Sequence, residues 1–157
     1  MADFGFTIAA GRAVEFAYRV NNNDPANSAL VIVAINANGV ADATLQDLDD
    51  LAAVLATAAN EVTNSGYSRK VLDNTSGITV TVGDAGNKIE VDIPDQTFTA
   101  VAAGDAWTDL LVCYDSDTTS GTDASIIPIS CHDFVMTPDG SNLIATINAS
   151  GIFRATV

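Results

Sequence analysis

Basic residues are scarce in this chain of 157 residues. Lysine and arginine together number 6 against 20 aspartate and glutamate residues, which gives a formal net charge of −14. Binding to nucleic-acid phosphates or to anionic lipid requires clusters of positive charge. The longest basic cluster is the pair Arg69-Lys70. The sequence therefore predicts no nucleic-acid partner and no membrane partner.

Long apolar runs are missing as well. No apolar stretch approaches the ~20 residues that span a bilayer, and Asp3 stands where a secretory signal has a basic residue. We therefore expect a protein made in the cytoplasm. Apolar residues make up 48% of the chain and charged residues 17%, so it is hydrophobic enough to fold. This length predicts a single domain over residues 1–157, with 1–20 as an N-terminal strand or as an arm that engages a neighbour.

Cysteine occurs only twice. Cys113 and Cys131 lie in apolar stretches and lack the C-x-x-C spacing of metal and redox sites. We expect both to be small core residues in a reducing compartment. A disulfide between them is the alternative.

Alternating apolar residues separated by turn formers dominate the rest of the chain. Residues 14–20 alternate between apolar and other side chains, which predicts a half-buried strand. Residues 30–35 and 107–114 are apolar on both faces, which is typical of strands in the interior of a sheet.

Two hairpins are predicted in the second half. Strands over 78–82 and 89–93 flank a glycine-rich turn, and strands over 132–136 and 143–147 flank Pro138-Asp139-Gly140. Together with the other runs, these segments predict a mainly β (α+β) fold. We expect a β-sandwich or barrel-like domain of roughly eight to ten short strands.

One amphipathic helix is predicted at about residues 44–60, where leucine and alanine recur at helical spacing. Thr44 and Asp47 resemble a capping box at its start. Asp47 and Asp50 would share one helical face and could form an acid/base pair. Carboxylates are common in the first turn of any helix, and we expect this ordinary role for both.

His132 is the one histidine, and Cys131 and Asp133 flank it. Neighbours in an extended segment point to opposite faces, so these three cannot form a catalytic triad with each other. We expect a structural or surface role for His132 and no catalytic residues.

A polar loop contains the acidic residues Asp115, Asp117 and Asp123. Several carboxylates in one short loop can bind calcium. However, Gly121 falls one place late for an EF-hand loop, and Ile126 stands where its glutamate belongs. We expect a solvated loop without a metal or other cofactor, with a calcium site as the alternative.

Phe4, Phe6 and Ile8 form a short alternating apolar segment near the N-terminus. Large apolar residues at a chain end need burial. They are predicted either to complete an edge of the protein's own sheet or to form an interface with a neighbouring subunit.

Several stretches resemble a family of small virion structural proteins encoded by tailed bacteriophages. The resemblance covers nearly the whole chain in order and consists of turns and strands, without catalytic or ligand residues. The stretches are residues 23–30 (NDPANSAL), 65–70 (SGYSRK), 92–97 (DIPDQT), 111–115 (LVCYD), 132–134 (HDF) and 137–141 (TPDGS).

This resemblance implies a capsid decoration or cement protein on the capsid exterior. Such a protein is made in the host cytoplasm and bridges subunits of the major capsid protein. We expect a homo-oligomer, with a trimer as the first guess. A tail or baseplate protein is the structural alternative. A calcium- or carbohydrate-binding module is a further alternative, suggested by the acidic loop and by Trp107 and Tyr114 near it.

Overall fold

The computed structural model of the protein describes residues 3–37 and 39–156. These residues form eleven strands and three short α-helices, which confirms the predicted mainly β (α+β) class. None of the helices among them is long and apolar enough to cross a bilayer. The strands are β1 Phe4–Gly5, β2 Ala29–Asn36, β3 Asn60–Glu61, β4 Lys70–Leu72, β5 Thr79–Gly83, β6 Lys88–Asp92, β7 Gln96–Phe98, β8 Trp107–Asp115, β9 Ile127–Met136, β10 Leu143–Ala145 and β11 Phe153–Thr156; the helices are α1 Ala13–Asn21, α2 Asp42–Gln46 and α3 Leu51–Leu55.

A six-stranded antiparallel sheet forms the centre of the molecule. Its order is β1-β9-β8-β2-β3, and β4 also pairs with β2. The two long apolar strands lie side by side in the middle, with Ile32 opposite Val112. Both are buried along nearly their whole length, as predicted for interior strands. Two smaller antiparallel sheets, β11-β6-β5 and β10-β7, complete the fold.

Side chains alternate between the two faces of the central sheet, so the sheet separates two cores. The aromatic core lies beneath α1 and the two smaller sheets, and the aliphatic core lies beneath α2, α3 and the N-terminal segment. The aromatic core contains Phe16, Leu30, Ile32, Phe98, Trp107, Leu110 and Tyr114, among others. The aliphatic core contains Phe6, Val31, Val33, Ile35, Leu45, Leu51, Val54, Leu111, Cys113 and Cys131, among others.

The strand predicted over residues 14–20 is wrong, because this segment is helix α1. Phe16, Ala17 and Val20 are buried together, three to four residues apart, which is the spacing of one helix face. Phe16 and Val20 also fit the alternation of a strand. Glu15 and Arg19, one turn apart, pair on the exposed side at 2.8 Å. The strand prediction placed Ala17 on the exposed face with Glu15 and Arg19, and this hid the helical spacing of the apolar residues.

The single helix predicted at 44–60 is also wrong, since the chain forms the two one-turn helices α2 and α3 instead. The carboxylate of Asp50 accepts a hydrogen bond of 2.7 Å from the amide of Ala53 and caps α3. Asp47 follows α2 and accepts a hydrogen bond from the Thr7 hydroxyl. Because the side chain of Asp50 starts a new helix, Asp47 and Asp50 do not share a helical face.

The first predicted hairpin is confirmed, because β5 pairs with β6 in antiparallel register. The second is wrong, since β10 pairs with β7 while β9 pairs with β8. Leu143 and Ala145 of β10 are buried in the aromatic core together with Phe98 of β7. The turn residues before β10 reverse the direction of the chain but do not determine which strand β10 pairs with. Burial of Leu143 and Ala145 beside Phe98 favours pairing with β7.

Candidate functional site

A cavity of about 510 Å³ opens beside β9, on the face of the central sheet that holds the aromatic core. Its floor consists of apolar side chains from the sheet, and its far wall comes from residues 145–154. Its mouth has the polar residues Asp3 and His132. The apolar floor includes Ile32, Ile93, Leu110, Val112 and Phe134.

Three polar side chains form a hydrogen-bonded chain at this cavity. Ser130 Oγ lies 2.8 Å from Nε2 of His132, and Nδ1 of His132 lies 3.3 Å from Oδ2 of Asp3. Oδ1 of Asp3 accepts a hydrogen bond of 2.9 Å from the amide of Asp133. Ser130 is buried, whereas His132 is partly exposed and Asp3 is exposed.

The local fold explains this arrangement. Ser130 and His132 are two residues apart on β9, so their side chains point to the same face. Strand β1 pairs with β9, placing Phe4 opposite Cys131, and this register places Asp3 beside His132. Cys131 points to the other face and lies in the aliphatic core. The flanking residues therefore form no triad with His132, as predicted.

Sequence reasoning missed Ser130 and Asp3. The spacing Ser-x-His within a predicted strand was a usable signal for the first, because residues i and i+2 share a face. Asp3 is 129 positions from its partner, and only strand pairing brings it there.

The order serine, histidine, carboxylate is that of a nucleophilic serine site. Acyl transfer also needs N–H donors aimed at the developing oxyanion. Ser130 lies inside the sheet, opposite Val112 on β8 and Gly5 on β1, so the backbone on both sides of it is engaged in strand pairing. The arrangement is better suited to accepting hydrogen bonds from a bound molecule than to hydrolysis.

The acidic residues considered as alternative calcium ligands are engaged in hydrogen bonds and an ion pair. Asp115 accepts from the amide of Asp117, and Asp117 accepts from Thr119 and Ser120 within the same loop. Asp123 pairs with an arginine. Over residues 3–37 and 39–156, no three His, Cys, Asp or Glu side chains come together in a way that could hold a metal ion.

Arg69 joins the acidic loop to the central sheet. Its guanidinium lies 2.6 Å from Oδ1 of Asp123 and 2.6 Å from Oε2 of Glu61 on β3. Tyr67 also donates to Glu61, at 2.9 Å. The Arg69 guanidinium beside Asp123 holds the pKa of that carboxyl below its usual range. This network fixes the loop in place.

The predicted interface residues fold onto the protein's own sheet. Phe4 lies on edge strand β1, and its ring centroid is 5.3 Å from that of Phe6. Phe6 is buried in the aliphatic core, and Phe4 and Ile8 pack against that core while remaining half-buried. The structure thus shows the alternative in which this segment completes the sheet.

Cys113 and Cys131 are both buried as free thiols, which confirms their prediction as core residues. Burial raises the pKa of each thiol. Trp107 and Tyr114, suggested as sugar-binding rings, are buried as well. Trp107 donates a hydrogen bond of 2.9 Å to Asn64, and Tyr114 stacks on Phe16, so neither ring has a face open to a sugar.

Comparison of the chain with protein-family models, with curated proteins and with solved structures finds no match.

Proposed function

We propose that the chain is a virion structural protein of a tailed bacteriophage that decorates the capsid and bridges subunits of the major capsid protein. Exposed apolar side chains on the edges of its sheets are the observation that favours this role. The proposal also rests on the resemblance of stretches such as 23–30 and 92–97 to phage virion proteins. The protein acts as a homo-oligomer without enzymatic activity, and its contacts are apolar and main-chain in character.

Two edge strands lack the usual protection against pairing with another chain. In the described part of the protein, β4 pairs with β2 alone, β5 with β6 alone and β10 with β7 alone. Edge strands of monomeric proteins are commonly guarded by charged residues. Strands β5 and β10, with sequences TVTVG and LIA, contain none. Both instead present an exposed branched apolar residue, and β4 exposes Val71 beside its charged residue Lys70.

The exposed apolar residues suit contact with neighbouring subunits. Val135, near the end of β9, is 79% exposed, and Val82 on β5 is 58% exposed. β1 pairs with Cys131 and Ser130 and does not extend to Val135. A partner strand beside such an edge would bury the valine and satisfy main-chain hydrogen bonds together. Val71 and Ile144 are exposed in the same way on β4 and β10.

The net charge of −14 suits the exterior of a particle, away from the packaged nucleic acid. A protein that binds the assembled shell but not its dissociated subunits stabilises the shell by its binding free energy. Bridging contacts repeated over many copies multiply that effect.

Cryo-electron microscopy of the parent virion tests the proposal directly. We expect density for this chain on the outer surface of the icosahedral shell, with β5 or the end of β9 at a subunit contact. Density in the tail or baseplate would identify the alternative structural role. A virion without this chain would contradict both.

Charged substitutions on the edges provide the matched test. We expect Val82→Lys and Val135→Lys to reduce the copy number of the protein per particle, measured by quantitative mass spectrometry of purified virions. Asn74→Lys, in an exposed turn between β4 and β5, is the control for added charge. Equal incorporation of all three variants would exclude these edges as contact surfaces.

A further inference from the structure

The cavity beside β9 has no part in the proposed contacts between subunits. Protein interiors contain few voids larger than a water molecule. Small-molecule sites, in contrast, commonly have volumes of roughly 300–1,000 Å³ and mostly apolar walls. This cavity, at about 510 Å³, reaches Ile32, Leu110 and Val112, which are all buried in the sheet. An apolar molecule of suitable size would therefore exchange water for these side chains on the side that faces the sheet.

The hydrogen-bond directions at the cavity define the chemistry of its polar end. An ionised carboxylate only accepts hydrogen bonds, so Nδ1 of His132 must donate to Asp3. In the neutral ring Nε2 is then an acceptor, and the hydroxyl of Ser130 donates to it. The hydrogen of Ser130 is thereby used, and its oxygen retains only acceptor capacity for a ligand.

One further polar side chain of the lining offers an acceptor. Gln96 uses its amide nitrogen in a hydrogen bond of 2.5 Å to the carbonyl of Pro94, which leaves its carbonyl oxygen as an acceptor. Asp3 places a carboxylate at the mouth, where it accepts from Nδ1 of His132. The one arginine in the lining, Arg154, lies 3.6 Å from Glu90. Acceptors and negative charge together favour a ligand with N–H donors and positive charge.

We propose that this cavity binds a small amphiphilic amine. Its apolar body occupies the space between Leu110, Val112 and Phe134, and its ammonium group lies at the mouth, where it donates to Ser130 Oγ and faces the carboxylate of Asp3. The proposal is independent of the virion role, because it concerns the purified chain alone.

Isothermal titration calorimetry with three probes of equal chain length tests this assignment. We expect n-octylamine to bind more tightly than n-octanol, and octanoate to bind most weakly, because the mouth offers acceptors and negative charge. Octanoate binding as tightly as octylamine would overturn the proposal. So would the absence of octylamine binding up to millimolar concentrations.

Two kinds of variant separate the cavity from non-specific attraction of an amine to an acidic protein. Val112→Phe fills the cavity and should abolish octylamine binding, and Ala145→Leu, also in the lining, serves if the first variant fails to fold. Val82→Phe makes the same change at an exposed position and should bind octylamine as the native protein does. Unchanged binding in a folded, filled variant would refute the site.

Ser130→Ala tests the polar end. Loss of one hydrogen bond, worth about 1 kcal/mol, should weaken octylamine binding roughly fivefold. Ser120→Ala, in the exposed acidic loop, is the matched control and should have no effect. Equal affinities of both variants would show that Ser130 does not contact the ammonium group.

Discussion

Leu110 and Leu111 are neighbours on β8, yet they lie in different cores of the molecule. Leu111 is in the aliphatic core, which α2, α3 and Phe6 cover, and it does not line the cavity beside β9. Leu110 is in the aromatic core and lines the cavity. The same strand thus supports a closed face and an open face.

The covering segments explain the difference. Much of the aliphatic core is covered by residues close together in sequence, since Leu45, Leu51 and Val54 come from two one-turn helices. Compact aliphatic side chains from adjacent turns fill space efficiently. The aromatic core is covered by segments from across the chain and by rings in fixed geometry, such as Phe98 against Trp107 at 4.9 Å and 88°. Rigid rings leave space at their margins, and Phe134, whose ring centroid is 6.2 Å from that of Trp107, lines the cavity.

Truncating the two leucines is the strongest test of this contrast. Leu111→Ala should lower the free energy of unfolding by about 3–5 kcal/mol, because the closed face cannot collapse around the lost atoms. Leu110→Ala should lower it by about 2 kcal/mol, since this side chain already borders open space. Urea denaturation followed by circular dichroism measures both. Equal losses would mean that the two faces are packed alike.

Arg69 holds the acidic loop at the edge of the closed face, where Ile126 of that loop joins the aliphatic core. Arg69→Met should lower the free energy of unfolding by about 1–3 kcal/mol, because it leaves Glu61 and Asp123 partly buried without their cation. Arg19→Met, which breaks the exposed pair with Glu15 on α1, is the control and should cause no measurable change.

The same network predicts a pH dependence. Arg69 lowers the folded-state pKa of Asp123, so its contribution to stability is present above the unfolded pKa of about 3.9 and disappears as the pH falls through the folded value. Arg69→Met should therefore lose less stability than the native protein on acidification below pH ~4. An identical acid profile for both proteins would contradict this role of the ion pair.

The extent to which sequence predicted this molecule differs between the same two faces. The continuous apolar runs at 30–35 and 107–114 predicted the central strands correctly, because burial on both faces leaves a local signal. The turn residues around Gly83 likewise predicted the hairpin of β5 and β6. The covering elements were less predictable. Alternating apolar residues predicted a strand where the chain forms α1. Apolar residues at helical spacing predicted one helix across α2 and α3, but Asp50 caps α3 and begins a separate helix.

The candidate site was largely beyond sequence reasoning. His132 was singled out and Ser130 was within reach by strand periodicity, but the cavity arises from packing between residues 145–154 and the sheet. Asp3 joins the site through the pairing of β1 with β9, a contact between residues 129 positions apart in sequence. Long-range pairing of this kind leaves no local pattern, because partner choice depends on the tertiary fold.

Asp109 is a buried carboxylate near the closed face. The thiol of Cys131 lies in the same region. The nearby Thr108 hydroxyl accepts a hydrogen bond from the amide of Ala37 and donates one to the carbonyl of Ile35. Among the described residues, neither carboxylate oxygen of Asp109 has a hydrogen-bond partner. Burial raises the pKa of this group, so its ionised form destabilises the fold at pH values above the folded-state pKa.

Asp109→Asn should therefore raise the free energy of unfolding at pH 7 by about 1 kcal/mol. This advantage should shrink as the pH falls through the folded-state pKa, because the native carboxyl then takes up a proton. Paired denaturation curves at pH 7 and pH 5 measure the difference. Asp92→Asn, at a half-buried position on β6, is the comparison for loss of one negative charge. A variant that is less stable than the native protein at pH 7 would show that this carboxylate has a stabilising partner.

Thiol reactivity compares the two faces of the sheet at adjacent residues, because Ser130 lines the cavity and Cys131 points into the aliphatic core. Buried thiols with raised pKa values react slowly with disulfide reagents, since the thiolate is scarce and reaction requires local opening. In the native protein, Cys113 and Cys131 should react with Ellman's reagent at least about 100-fold more slowly than after unfolding in guanidinium. Ser130→Cys should add one thiol that reacts without unfolding, because this position lines the open cavity. If the added thiol is as slow as Cys131, the cavity is closed to molecules of that size, and the contrast between the two faces is smaller than the packing indicates.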